Sequence, residues 1–158
     1  MIIYFQLQLT KETKWFDVQT KKWSNGPEMN KARSDHGCVK IPQTSQRKSQ
    51  ILVVGGYSSD STIESLEIGE DKWKVVGTTN PEVNLNDHAV TESYSPKYIA
   101  YSIGGFSGIT RDSFDPRIVK SIYGIKDDYS FIEVGLLKKS RYLHQSLNLL
   151  RHEIPNCL

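Results

Sequence analysis

The sequence predicts an all-β fold in which a unit of about 50 residues recurs, so the chain reads as part of a β-propeller. Three observations carry this reading. Two diglycines, in Val53-Val54-Gly55-Gly56-Tyr57 and Ser102-Ile103-Gly104-Gly105-Phe106, each close a short apolar run and precede an aromatic; Gly55 and Gly104 are 49 residues apart. Trp23 and Trp73, 50 residues apart, keep nearly the same step, and Phe131 stands 58 residues further on; each follows an apolar-x-apolar segment. Arg33 and His36 stand 10 and 13 residues after Trp23, and Arg141 and His144 repeat those offsets after Phe131. The middle copy departs: His88 lies 15 residues after Trp73 and the arginine is missing.

The local signals are all β. Residues 50–54 and 98–103 are β-branched or aromatic runs closed by Gly-Gly. Residues 63–68 and 118–125 alternate apolar and polar side chains, the period of a half-buried strand. Gln19-Thr20-Lys21, Gly69-Glu70-Asp71 and Lys126-Asp127-Asp128 supply turns between strands. Leu66-Glu67-Ile68 and Tyr123-Gly124-Ile125 are read as equivalent segments. One period thus holds four short strands, and of the all-β architectures only a propeller predicts so long a repeat.

The diglycine, the apolar-x-apolar strand, the tryptophan and the Arg-x-x-His resemble the kelch repeat from about Trp15 to Leu150. The resemblance implies a partial kelch-type propeller with about two complete four-stranded blades and half-blades at each end. Residues 1–28 would be the outer half of a blade, and 29–80 a whole blade with strands at 36–41, 51–55, 63–68 and 72–76. Residues 81–136 would be a second blade carrying a long loop at 106–117, and 137–158 an inner strand and tail. Gly55, Gly56, Gly104, Gly105, Trp23, Trp73, Phe131, Arg33, Arg141, His36, His88 and His144 then form a structural signature. The glycines permit positive φ and close backbone approach, the aromatics fill the space between blades, and the arginines bridge blades through carbonyls. Kelch propellers close with five to seven blades, so open ends and self-association through blade edges are expected. A truncated fragment without independent activity is a third possibility.

Composition narrows the partners. Twenty basic residues against eighteen acidic ones give a net charge of +2, with no concentrated basic face for nucleic acid. No apolar run approaches the ~20 residues of a membrane span, and the N-terminus lacks a basic signal region. Cys38 and Cys157 have no metal-like spacing; Cys38 reads as the start of a buried strand. A reducing, cytoplasmic compartment is expected.

No phosphate loop, His-Glu-x-x-His or Cys-x-x-Cys occurs, and the three in-phase histidines read as one structural device repeated. The sequence reading is therefore of a chain that is no enzyme, with no metal or cofactor, binding a protein or peptide. The resemblance offers ubiquitin-ligase adaptors and actin-associated proteins as models, with galactose oxidases and sialic-acid mutarotases as enzymatic alternatives. Loops after the second strand and between blades share one face, where Tyr57, Ser58, Asp60, Arg111, Phe114 and Arg117 are the expected contacts. Changing Arg111, Phe114 and Arg117 together to alanine is expected to weaken capture of an acidic or mixed-charge peptide while leaving thermal unfolding unmoved.

Overall fold

The computed structural model describes residues 2–4, 9–59, 61–79, 85–107 and 117–141, with the backbone alone at 2–4 and 117. Every regular element among them is a strand. In chain order these are β1 (Ile2–Tyr4), β2 (Lys14–Asp17), β3 (Lys22–Asn25), β4 (Gly37–Ile41), β5 (Gln50–Val54), β6 (Thr62–Glu67) and β7 (Lys74–Thr78). They continue as β8 (Leu85–Asn86), β9 (Ala89–Glu92), β10 (Ala100–Ile103), β11 (Phe106–Ser107), β12 (Arg117–Ile118), β13 (Ser121–Ile125) and β14 (Phe131–Leu136).

Two antiparallel sheets are four-stranded meanders, β4-β5-β6-β7 and β9-β10-β13-β14, as the repeat predicts. The sheet before them holds β1-β2-β3, so the outer pair expected there is joined by a third strand. The long 106–117 segment begins and ends in strands: β11 pairs with both β12 and β8, making a small ribbon beside the third sheet. Register counted from the diglycines corrects one sequence alignment. Val54 lies opposite Ile63 and Ile103 opposite Ile122, so Ile63, Glu64 and Leu66 correspond to Ile122, Tyr123 and Ile125. Leu66-Glu67-Ile68 and Tyr123-Gly124-Ile125 are therefore offset by two residues. Both third strands carry a bulge at the same place, between Ile63 and Glu64 and between Ile122 and Tyr123.

The sheets stack face to face, which is why β5 is an unbroken apolar run after Gln50 and is buried on both sides. Ile51, Val53, Leu66 and Trp73 face the first sheet and pack with Met29 and Trp15. Leu52, Val54 and Ile63 face the third sheet and pack with Ile99, Ala100 and Ile125. Trp73 donates its ring N–H to the Pro27 carbonyl at 2.9 Å, satisfying the polar atom that burial would otherwise strand. Trp23, expected to be buried likewise, is 51% exposed, because its face turns away from the second sheet. Cys38 also departs from expectation: its side chain is exposed, since β4 buries mainly its two ends.

Arg33 is fully buried and holds the junction of the first two sheets. Its backbone pairs with Thr10, and its guanidinium donates to the carbonyls of Gly55 (2.7 Å) and Thr62 (3.0 Å) and to Glu64 Oε1 (2.5 Å). Glu64, equally buried, also accepts from the backbone N–H groups of Asn30 (2.7 Å) and Lys31 (3.0 Å). In the third sheet the corresponding positions are Leu85 and Tyr123, which pack together with Val119 and Phe131. An ion pair in one blade is thus an apolar contact in the next. Arg141 shares the backbone role, accepting from Gly105 N–H at 2.8 Å as Leu85 accepts from Gly56. Its side chain is exposed.

Replacing Arg33 with leucine alone leaves a buried carboxylate without its counter-charge and is expected to cost about 3–5 kcal/mol. Arg33→Leu with Glu64→Tyr, the third-sheet pair, should recover a substantial part. Urea unfolding of the two single variants and the double would show a coupling of about 1 kcal/mol or more.

Candidate functional site

The sheets share an edge where first strands begin, second strands end and third strands begin. Each diglycine sits on that edge. Gly55 and Gly56 have φ of +59° and +96°, and Gly104 and Gly105 repeat this with +60° and +98°. Space is as restrictive as conformation. A Cβ on Gly55 would lie 2.6 Å from the Leu85 carbonyl oxygen and 3.2 Å from His88 Cε1; one on Gly56 would meet the Ser34 oxygen and His36 Cβ. Both the blade's own first strand and that of the next blade press on the diglycine.

His88 is wedged between the second and third sheets, 5% exposed, with its ring beside Gly37 and Gly55. His36 occupies the same repeat position one blade earlier. Burial pushes its imidazole down to about 3, and the Arg33 guanidinium acts in the same sense. Both are packed against neighbouring strands; His144 lies outside the described residues. No group of three histidine, cysteine or acidic side chains able to hold a metal occurs among the described residues.

The expected partner contacts are only partly in view. Tyr57 is half-buried; its N–H donates to the Ser34 carbonyl at 2.9 Å. Ser58 is exposed, with φ of +61°. The turn behind them is fixed by buried Ser59, whose hydroxyl donates to the Gly56 carbonyl and whose own carbonyl accepts from Thr62. Asp60, Arg111 and Phe114 lie outside the described residues, as does the side chain of Arg117. The backbone of Arg117 sits in β12, so the far end of the long loop is tied to this same edge.

Two residues that sequence reasoning passed over stand here. Asp35 and Asp87 each precede the repeat histidine, each has left-handed backbone (φ +55° and +51°), and the Asp87 N–H donates to the Asp35 carbonyl at 2.9 Å. Such geometry is uncommon outside glycine, although aspartate tolerates it better than most. Ser34 Oγ donates to Asp35 Oδ2 at 2.8 Å. The signal was present in the sequence as Asp-His in two of the three copies. With Tyr57 and Phe106, these residues bring carboxylates, hydroxyls and aromatic surface to adjacent blades.

No family model and no curated protein matches the sequence. Solved structures do match. That of YjhT, a kelch-type propeller, overlays with a TM-score of 0.68 at 12% identity, covering 85% of this chain and 41% of YjhT. The fold is kelch-like. The chain spans about two fifths of the length of YjhT. This finding overturns the expectation of a chain that is no enzyme, because the likeness gives a kelch-like fold and such a fold carries no presumption against catalysis.

The depressed His36 pKa has a definite sign. The unfolded chain takes up a proton near pH 6.5 while the folded one resists until about 3, so stability falls as pH drops through that window. Chemical unfolding between pH 7 and 4 should show this loss, up to about 1.4 kcal/mol per pH unit from His36, and His36→Asn should make it shallower.

Proposed function

We propose that the shared loop edge of this kelch-like chain binds a protein or peptide partner, and that Asp35 and Asp87 are its central acceptors. One observation carries the reading: two aspartates at equivalent repeat positions, both held in left-handed backbone and joined by the Asp87–Asp35 hydrogen bond. Backbone strain retained at matching positions of two blades marks a place where side-chain direction matters. Carboxylates aimed from such positions suit a ligand rich in hydrogen-bond donors, such as a peptide carrying lysine or arginine. Ser58 and the half-buried Tyr57 and Phe106 add polar and aromatic surface around them. A substrate-adaptor or actin-associated role would draw on this same edge.

A second reading follows the enzymatic alternatives of the kelch resemblance: the edge, which carries Tyr57 and Phe106 beside its two aspartates, would take a sugar, whose hydroxyls suit carboxylates and whose apolar face suits an aromatic ring.

Chemical-shift mapping with a panel of basic, acidic and mixed peptides, and separately with sialic acid, distinguishes the two. Basic or mixed peptides are expected to perturb residues 34–36, 57–58 and 85–88. Asp35→Asn with Asp87→Asn should weaken that binding about tenfold or more, the scale of a charged hydrogen bond. Perturbation by sialic acid alone would replace the peptide reading with the sugar one.

A further inference from the structure

The three stacked sheets end on two different faces, and the repeat shows what each face is built to meet. The second sheet turns Leu52, Val54 and Ile63, all 0% exposed, toward the third sheet. At the same positions in the third sheet stand Tyr101, Ile103 and Ile122, which are only half-buried. The opposite face behaves alike. In the second sheet Leu66 and Trp73 are 1% and 5% exposed beneath the first sheet, whereas their first-sheet equivalents are a half-buried Phe16 and Trp23 at 51%. Among the described residues, each end therefore carries half of a sheet-to-sheet interface that the chain builds twice internally.

We infer that the first-sheet face of one copy docks on the third-sheet face of a second copy, so that two chains close head to tail into one ring. Three further points support a second copy as the occupant. The two faces are complementary by construction, since a Phe16–Trp23 face is the repeat equivalent of what the third sheet itself presents to the second. Their rims have the right charges: in the internal junction Arg47 pairs with Asp127, and the corresponding rims of the open faces carry Lys97 and Asp17, each one residue from those positions. The arc also has the right size, because one chain overlays 41% of YjhT and two supply most of a propeller of that length. A head-to-tail contact that closes makes a ring, whereas one that does not close grows into an open chain.

Sedimentation equilibrium of the 158-residue chain tests this. The expected result is a discrete dimer, twice the 18.0 kDa chain mass. Trp23→Glu spoils one face and Ile122→Glu the other, so each variant alone should be monomeric. Mixed in equal amounts they should form a 1:1 dimer, because one intact head then meets one intact tail. Asp17→Lys and Lys97→Glu, both at exposed positions, should each weaken the dimer at least threefold and the double variant should regain it, while Asp17→Asn, which keeps an oxygen for the Gln19 and Thr20 N–H groups of the turn, separates loss of charge from loss of the turn. Circular dichroism establishes that each variant keeps its β structure. A monomeric parent chain, whose open faces are then met by its own remaining residues, overturns the inference. So do a size that keeps growing with concentration, and a dimer sensitive to variants on one face only.

Discussion

The arrangement of these sheets depends on how closely the first strand of one blade can approach the diglycine of its neighbour. A side chain on Gly55 would collide with the backbone oxygen of Leu85, and one on Gly56 with that of Ser34. Positive φ at both glycines lets the chain leave the second strand at that point and turn into the next loop. The contact then allows Leu52, Val54 and Ile63 to meet Ile99, Ala100 and Ile125 without a gap. Cross-sheet polar links follow from the same approach: Tyr129 donates its hydroxyl to Gln50 Oε1 at 3.0 Å, and Arg47 pairs with Asp127. Without close packing at the diglycine, none of these groups would be in reach.

The Arg33–Glu64 pair and the Leu85–Tyr123 contact are two solutions to one steric problem. Both fill the space beneath a bulged third strand, one with a fully hydrogen-bonded ion pair and the other with apolar area. Replacing buried charges with well-packed apolar groups is often neutral for stability, so a repeat can drift between them. The ionic form brings something the apolar form lacks. Glu64 gathers the N–H groups of Asn30 and Lys31, so the connection from the first sheet is pinned along its length. That explains why the chain between the first two sheets is ordered by buried hydrogen bonds rather than left as a loose linker.

Function sits where packing leaves latitude. His36 and His88 stand between packed strands, where burial holds His36 neutral. The aspartates one residue earlier have the opposite character: half-buried, in left-handed backbone, and on the edge where loops from adjacent blades converge. A kelch-like scaffold can present such an edge to a peptide or to a small polar molecule.

The sequence by itself determined the strand content, the length of the repeat and the positions of both diglycines. Those features are local: alternation, turn residues and glycine punctuation act over a few neighbours. It also marked Trp73 and Phe131 as equivalent, and the structure sets each immediately before or at the start of an outer strand. Only the tertiary structure decided which of two similar tryptophans is buried, since Trp73 has a sheet against its face and Trp23 does not. It likewise decided the register that makes Glu64 the counterpart of Tyr123, because strand pairing counts from the diglycines and not from sequence likeness. Asp35 and Asp87 needed it most. Their spacing was legible, but their left-handed backbone and their mutual hydrogen bond arise only when two blades are pressed together.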